Sequence, residues 1–241
     1  MIIKGLQKTT LLDFPGKVAA TVFLGGCNMR CPFCHNMNIA DLNFNQDEGI
    51  SSRNADYTPD EILDFLKVRR SVLDGVCITG GEPTINPELY EFIKKIKDIG
   101  LLVKLDTNGT NPKMVKKLID DGLVDYVAMD IKSSPAGYET VSGVKEIDLS
   151  GIKKTINYLI TGTGDFDYEF RTTIVKDFHD EEVMRDIGEL IRGAKKYYLQ
   201  GFKDSEYVPQ HNLAAPQRQT MEAYVKLMSD YVKCVEIRGM D

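Results

Sequence analysis

The chain has 241 residues, with 30 Lys and Arg against 36 Asp and Glu, a net charge of -6 and 42% apolar residues. This composition is typical of a soluble globular protein and excludes a disordered chain, a collagen and a coiled coil. A mildly acidic chain without a long basic run is poorly suited to binding nucleic acid. No apolar stretch approaches the ~20 residues that span a bilayer, and the amino terminus lacks the apolar core of a secretory signal. We therefore expect a cytoplasmic protein with no nucleic-acid or membrane partner.

Short β-branched apolar runs alternate with segments of helical periodicity along the chain. The apolar runs predict strands at 18–24, 76–79, 101–105, 124–129, 169–175 and 197–199. The periodic segments predict helices at 59–68, 87–99, 112–121, 149–159, 181–191 and 217–231. Thr58, Asn86 and Asn111 each precede a proline, and this pair of residues is typical of a helix start.

Strand followed by helix, repeated about six times, predicts a parallel sheet, because parallel neighbours need a crossover connection. Most of the predicted strands end in a polar or glycine-rich cluster, and parallel α/β folds place their sites at the carboxyl ends of strands. Six strand ends that supply one site favour a full or partial barrel over an open doubly wound sheet. The absence of repeats, low-complexity tracts and long linkers predicts a single domain.

Three of the five cysteines, Cys27, Cys31 and Cys34, fall within eight residues. In a reducing cytosol such a group indicates metal binding or catalysis, not disulfides. A structural zinc site needs a fourth ligand, and the nearest candidate, His35, is adjacent to Cys34 and poorly placed. An iron-sulfur cubane on three cysteines leaves one iron free to bind a substrate or cofactor. The spacing favours the iron-sulfur cluster, and zinc stays open as the alternative.

For several other residues, the sequence predicts a location in the fold or an interaction partner. Cys77 and Cys234 lie in apolar runs and are expected in the core, whereas His179 and His211 have polar neighbours and are expected at the surface. Arg171 lies between apolar strand residues and needs either an acidic partner or an anionic ligand. Gln200, at the end of the last predicted strand, is a weaker candidate for the site.

The segment CNMRCPFCHN resembles the CxxxCxxC loop of the radical S-adenosylmethionine superfamily. The resemblance implies a partial (β/α)6 TIM-like barrel of the radical SAM type. It also implies a 4Fe-4S cluster on Cys27, Cys31 and Cys34, whose open iron chelates S-adenosylmethionine. One electron from the reduced cluster then cleaves the sulfonium and releases a 5'-deoxyadenosyl radical. Phe33 and His35 would flank the cofactor, with Phe33 near the adenine.

Other segments at predicted strand ends are similar to motifs of the same family. Gly80-Gly81-Glu82-Pro83 resembles the GGE element, which implies a contact between the Glu82 carboxylate and the methionine amino group. Asp130-Ile131-Lys132 resembles the DxK element of glycyl-radical activases. Further cofactor-binding candidates are Asp106, Thr107, Asn108 and Arg171. The oxygen ligands of Asp106, Thr107 and Asp130 also suit a monovalent or divalent cation.

The segment from Lys8 to Asn36 is similar to the activating proteins of anaerobic ribonucleoside-triphosphate reductase, and CPFCHN is similar to pyruvate formate-lyase activating enzymes. The resemblance implies that the enzyme abstracts a hydrogen atom from one glycine of a large glycyl radical enzyme. The chemistry needs one electron, for which we expect flavodoxin or ferredoxin as the donor. Asp13 would then contact the partner's glycine loop. The alternatives are a small-molecule enzyme such as a 7-carboxy-7-deazaguanine synthase and a non-enzymatic iron-sulfur or zinc module.

The length leaves room for the compact core of this family without an appended domain. We expect an amino-terminal extension at 1–17 that packs near the barrel, a core at 18–200, and a carboxyl-terminal helix and extension at 201–241.

Overall fold

The computed structural model describes residues 1–42 and 56–240. In this part of the chain, one sheet of eight strands has the same order in space as in the sequence. The strands are β1 (Ile3–Thr10), β2 (Ala19–Leu24), β3 (Gly75–Gly80), β4 (Leu102–Thr107), β5 (Tyr126–Asp130), β6 (Asp167–Ile174), β7 (Lys196–Gly201) and β8 (Cys234–Arg238). β1 is antiparallel to β2, and every later pair is parallel.

Helices connect the parallel strands. They are α1 (Met37–Ala40), α2 (Pro59–Arg69), α3 (Leu89–Ile99), α4 (Pro112–Asp120), α5 (Tyr138–Ser142), α6 (Leu149–Thr161), α7 (Glu181–Leu190) and α8 (Arg218–Met228). All six predicted strands and all six predicted helices are confirmed. Within the described residues, no helix combines the length and apolarity that a membrane crossing requires.

Two of the three predicted helix starts are confirmed. Thr58 forms a capping box with Glu61, and the Asn111 side chain accepts a hydrogen bond from the Met114 amide. The prediction for Asn86 was wrong, because a short 3-10 turn precedes α3 and delays its start. The Asn86 side chain instead donates to the carbonyl of Pro83 at the end of that turn.

The parallel strands bury apolar side chains on one face and polar side chains on the other. Val22, Ile78 and Val127 belong to the main hydrophobic core, which lies between the sheet and the helices. Thr21 and Asp106 lie on the opposite face and line a cavity that the curved sheet surrounds. The sheet order ends at β1 and β8, which are not hydrogen-bonded to each other, so the predicted partial barrel is confirmed.

The turn between β1 and β2 covers the end of the barrel at which the parallel strands begin. Phe14 is buried there against Ala19 and Tyr126. A Cβ atom at Gly75 would lie 2.9 Å from the Phe14 ring, which shows how closely this ring packs against β3. The Thr10 hydroxyl accepts hydrogen bonds from the backbone amides of Leu12 and Asp13, at 3.2 and 3.3 Å. The turn is therefore anchored at its start by Thr10 and at its centre by Phe14.

Candidate active site

A cavity of about 330 Å³ lies inside the barrel and reaches the carboxyl ends of the strands. This volume falls in the range of small-molecule and cofactor sites. Of the residues predicted from the sequence for the site, all except Ile131 line the cavity. They are Asp13, Cys27, Cys31, Phe33, Cys34, His35, Gly80, Gly81, Glu82, Asp106, Thr107, Asn108, Asp130, Lys132, Arg171 and Gln200.

The cysteine loop follows β2, and its three thiols are free. The Arg30 guanidinium holds the loop by donating to the carbonyls of Cys27 and Met29, at 2.7 and 2.8 Å. Burial raises the pKa of Cys27 to about 12 and that of Cys31 to about 11, and it also raises the pKa of Cys34. Thiols in such surroundings lose their protons when a strongly positive centre binds them.

The donor arrangement fits an iron-sulfur cluster better than a structural zinc ion. Among residues 1–42 and 56–240, no three His, Cys, Asp or Glu side chains converge on a site for a single metal ion. The imidazole of His35, the fourth ligand that zinc would need, stacks on Phe202, and its Nε2 lies 2.5 Å from the Lys203 carbonyl oxygen. The three thiols share one cavity without a fourth protein ligand, as a cluster with one open iron requires.

Gly80 and Gly81 are needed for the close approach of the loop after β3 to the cysteine loop. Gly80 has a φ of +119°, and a Cβ at this position would lie 2.2 Å from the Leu24 carbonyl oxygen. A Cβ at Gly81 would lie 2.0 Å from the Gly26 carbonyl oxygen and 3.2 Å from the Cβ of Cys27. The nearest neighbours of both glycines are backbone atoms of the segment that leads into the cysteine loop. The approach of their own backbone to the cofactor, which the GGE resemblance implies, stays a prediction.

Glu82 connects the end of β3 to the end of β4. The carboxylate is buried and accepts hydrogen bonds from the Thr84 amide at 3.0 Å, the Thr107 hydroxyl at 2.8 Å and the Asn108 amide at 2.6 Å. It also accepts from the hydroxyl of Thr84. Burial raises the pKa of Glu82, and these hydrogen bonds oppose the shift. The contact with a methionine amino group stays a prediction.

A chain of ion pairs crosses the polar face of the sheet. Arg171 on β6 is paired with Asp130 on β5 and with Asp106 on β4, the latter at 3.0 Å. Lys132 donates to the other oxygen of Asp130 at 2.8 Å. Burial alone would raise the pKa of both carboxyls, but Arg171 and the neighbouring lysines outweigh it and lower the pKa of Asp106 and Asp130. The ion-pair role of Arg171 is confirmed, and its contact with a cofactor carboxylate stays a prediction.

The cavity also provides both charges that a zwitterionic amino acid needs for recognition. The side chains of Lys132 and Arg171 line it and are 20% and 16% exposed. Glu82 supplies a carboxylate on the same wall, whereas the carboxylates of Asp106 and Asp130 are already paired with neighbouring cationic side chains. The methionine part of S-adenosylmethionine therefore fits the donor and acceptor set of this cavity.

Two predicted positions lie elsewhere in the fold. The Ile131 side chain is fully buried in the main core, because alternation along the chain points it away from Asp130 and Lys132. Its carbonyl accepts a hydrogen bond from the Thr172 hydroxyl. Cys234 is only partly buried, because it begins β8 at the edge of the sheet, so the expected core position was wrong. Cys77 is buried as expected, but its side chain faces the polar cavity.

His179 is buried and not at the surface, as its polar neighbours in the sequence had suggested. Its Nε2 lies 3.0 Å from the carbonyl oxygen of Lys132, and its ring contacts Phe33 edge-on. Burial lowers the pKa of His179, which favours the neutral imidazole. His211 is exposed, as predicted. Only the three-dimensional contacts with Phe33 and Lys132 identify His179 as a support of the cavity wall.

The cysteine loop, the polar strand ends and the partial barrel together define a class of enzyme. Residues 21–190 match the model of the "Radical SAM superfamily", and the chain belongs to this superfamily. Its cofactors are accordingly a 4Fe-4S cluster and S-adenosylmethionine.

Comparison over the whole chain gives the narrower family. The chain is 31% identical over 248 residues to a Methanocaldococcus jannaschii protein named "Putative glycyl-radical enzyme activating enzyme MJ1227", covering 100% of this chain and 97% of that protein. It is also 26% identical to the pyruvate formate-lyase-activating enzyme of Clostridium pasteurianum, over 99% of this chain and 91% of that enzyme. The chain is thus a radical SAM enzyme of the glycyl-radical activating family.

A solved structure supports the fold. Streptococcus suis SuiB bound to S-adenosylmethionine aligns with a TM-score of 0.67 and 12% identity, covering 89% of this chain and 48% of SuiB. The chain therefore spans about half of SuiB, and the likeness concerns the barrel.

Proposed function

We propose that this enzyme generates a glycyl radical on a large partner enzyme, which we take to be an anaerobic ribonucleoside-triphosphate reductase. When bound, the cluster and S-adenosylmethionine supply a 5'-deoxyadenosyl radical. A hydrogen atom moves from the glycine α-carbon to this radical, which leaves 5'-deoxyadenosine and a radical on glycine. Glycine suits the reaction because it has no side chain to block the approach. Flavodoxin or ferredoxin would supply the electron.

The position of Asp13 is the observation that carries the proposal. Asp13 lies on the turn between β1 and β2, yet its side chain lines the same cavity as the three cysteines. Its carboxylate accepts a hydrogen bond from the Thr21 hydroxyl at 2.5 Å, which leaves acceptor capacity for another donor. A backbone amide of an inserted protein loop is a suitable donor.

The outer side of the same turn, at the end of the barrel opposite to the cysteine loop, is a further surface that a large protein partner can contact. Leu11 and Leu12 are 71% and 90% exposed, although Thr10 and Phe14 hold the turn in place. Large apolar side chains exposed on an anchored turn are typical of a contact surface for another protein.

The choice of partner rests on similarity. The segment from Lys8 to Asn36, which includes both the turn and the cysteine loop, resembles the activating proteins of anaerobic ribonucleotide reductases. The relative from Clostridium pasteurianum supports pyruvate formate-lyase as the second candidate partner. The two partners are distinguished by experiment.

The test uses protein with an anaerobically reconstituted cluster, reduced and mixed with S-adenosylmethionine and each candidate partner in turn. We expect 5'-deoxyadenosine together with a glycyl radical signal in electron paramagnetic resonance, and only with the reductase. A partner whose radical glycine is replaced by alanine is the control and should give no signal.

Three other results are informative. A glycyl radical on pyruvate formate-lyase alone would change the partner but keep the reaction. Formation of 5'-deoxyadenosine without any protein radical would favour a small-molecule substrate. A colourless protein with bound zinc would refute the radical reaction.

A further inference from the structure

Lys104 is a buried lysine on the polar face of β4. Its side chain is 3% exposed, and its ammonium group is paired with the Asp106 carboxylate two residues along the same strand. Its Nζ also lies 3.8 Å from the Sγ of Cys77, its register neighbour on β3. A buried ammonium is costly unless it is paired, so its presence beside the site calls for a role.

Asp106, Thr107 and Asp130 have oxygen ligands of the kind that suits a free cation. In the structure, however, these oxygens are hydrogen-bonded to other protein groups. Each of the four carboxylate oxygens has a cationic side chain as its donor. Lys104 contacts Oδ1 of Asp106, and Arg171 contacts its Oδ2 at 3.0 Å. In the same way, Arg171 donates to Oδ1 of Asp130 and Lys132 donates to its Oδ2.

The third candidate ligand for a cation, the Thr107 hydroxyl, also has hydrogen-bond partners within the protein. The hydroxyl of Thr107 donates to Glu82 at 2.8 Å and accepts from the Gly109 amide at 3.1 Å. In the chain of ion pairs itself, the two carboxylates of Asp106 and Asp130 face three cationic side chains, so positive charge is in excess there. Hard cations need unpaired oxygen ligands and negative charge, and this network offers neither.

We propose that Lys104 is a built-in counter-cation that takes the place of a free metal ion beside Asp106. Its ammonium fixes one Asp106 oxygen, so that the other oxygen holds Arg171 between Asp106 and Asp130. Arg171 and Lys132 are thereby held with their cationic groups facing the cavity. Lys104 does not itself line the cavity, so it is a positioning residue. The proposal concerns the cofactor site alone and does not depend on which molecule finally receives the radical.

The predicted consequence is that the wild-type enzyme needs no added metal cation, whereas loss of the ammonium creates a requirement for one. Lys104→Met removes the ammonium and keeps most of the apolar stem. Lys97→Met is the matched control, because Lys97 pairs with Asp125 at 2.8 Å on a different part of the fold. All three proteins carry a reconstituted cluster and are measured in choline, sodium, potassium or magnesium chloride at equal ionic strength.

Two quantities are measured without any partner enzyme: the midpoint of thermal unfolding and the Kd of S-adenosylmethionine. For the wild type and for Lys97→Met, the Kd in every salt should stay within about twofold of the same protein's Kd in choline chloride. Lys104→Met should bind S-adenosylmethionine about tenfold more weakly in choline and recover most of that loss in potassium or sodium. Its thermal midpoint should rise with the same cations.

The opposite results would overturn the proposal. A wild-type Kd or midpoint that improves in sodium, potassium or magnesium relative to choline would mean that a free cation binds despite Lys104. An unchanged Kd for Lys104→Met, or an equal loss in all salts, would reduce Lys104 to a packing residue. If Lys104→Met does not fold, the salt dependence of the wild type decides: independence supports the proposal, and dependence overturns it.

Discussion

Replacing Asp13 by alanine should separate S-adenosylmethionine cleavage from glycyl radical formation. In the folded chain Asp13 has one side-chain hydrogen bond, from Thr21 at 2.5 Å. Because the acceptor is a carboxylate, this hydrogen bond contributes roughly 1.5–3 kcal/mol to the free energy of unfolding. For a chain of this length the loss lowers the thermal midpoint by roughly 3–12 °C. The variant should therefore stay folded.

The effect on the partner should appear in the rate of radical formation. A hydrogen bond between the Asp13 carboxylate and a backbone amide of the glycine loop is charge-assisted and contributes roughly 1.5–3 kcal/mol. At about 1.36 kcal/mol for each factor of ten, Asp13→Ala slows glycyl radical formation by roughly 10- to 150-fold at low partner concentration. Cleavage of S-adenosylmethionine without the partner should stay near the wild-type rate.

The assay counts 5'-deoxyadenosine by chromatography and glycyl radical spins by electron paramagnetic resonance in the same sample. Thr21→Val is the matched control, because it removes the same internal hydrogen bond and keeps the carboxylate. It should keep the wild-type ratio of radical to 5'-deoxyadenosine, while Asp13→Ala lowers that ratio. Wild-type radical yield in Asp13→Ala, or an equal fall of both products, would refute the assigned role.

Three further changes test the site and its surroundings. Gly81→Ala places a Cβ 2.0 Å from the Gly26 carbonyl oxygen and should at least halve the bound iron per chain, whereas Gly5→Ala, with its nearest contact at 3.4 Å, should leave the iron content unchanged. The lowered pKa of His179 means that the unfolded chain binds a proton that the folded chain does not. The free energy of unfolding should therefore fall as the pH drops through about 6.5, by at most about 1.4 kcal/mol per pH unit, and His179→Gln should flatten this slope in urea unfolding between about pH 5 and 8. Equal slopes for both proteins would contradict the burial effect. Leu12→Ser should raise the apparent KM for the partner without changing the thermal midpoint, and an unchanged KM would exclude Leu12 from the contact surface.

The alternating part of the fold was predictable because its signals are local. The ends of the six strands and six helices differ from the predicted ends by at most three residues. Helix caps such as Thr58 act within a single turn, and apolar runs reflect burial of the face that packs on the helices.

The two edge strands were not predicted, because pairing with a neighbour defines them. β1 (Ile3–Thr10) contains two lysines, a glycine and a glutamine, and most of its residues are partly or fully exposed. β8 (Cys234–Arg238) is short and has no fully buried residue. Neither segment has the apolar pattern of a central strand.

The site was predictable where its residues follow strands directly. The cysteine loop, Glu82 and Asp130 each lie in a short motif with recognisable chemistry. The burial of Lys104 and His179 was not predictable, because it depends on contacts between segments far apart in the sequence. Lys104 lies next to Cys77 on the neighbouring strand β3, and the Nε2 of His179 lies 3.0 Å from the carbonyl oxygen of Lys132. Because the interior of the barrel is polar, a side chain buried there need not be apolar.

The central claim is that a hydrogen atom passes from a glycine of the partner to the radical formed at the Cys27, Cys31 and Cys34 loop. The most direct test is to label the glycines of the ribonucleoside-triphosphate reductase with deuterium at the α-carbon and to analyse the 5'-deoxyadenosine by mass spectrometry. We expect deuterium in 5'-deoxyadenosine in proportion to the glycyl radical formed. Unlabelled 5'-deoxyadenosine, accompanied by a glycyl radical of undiminished intensity, would contradict the central claim.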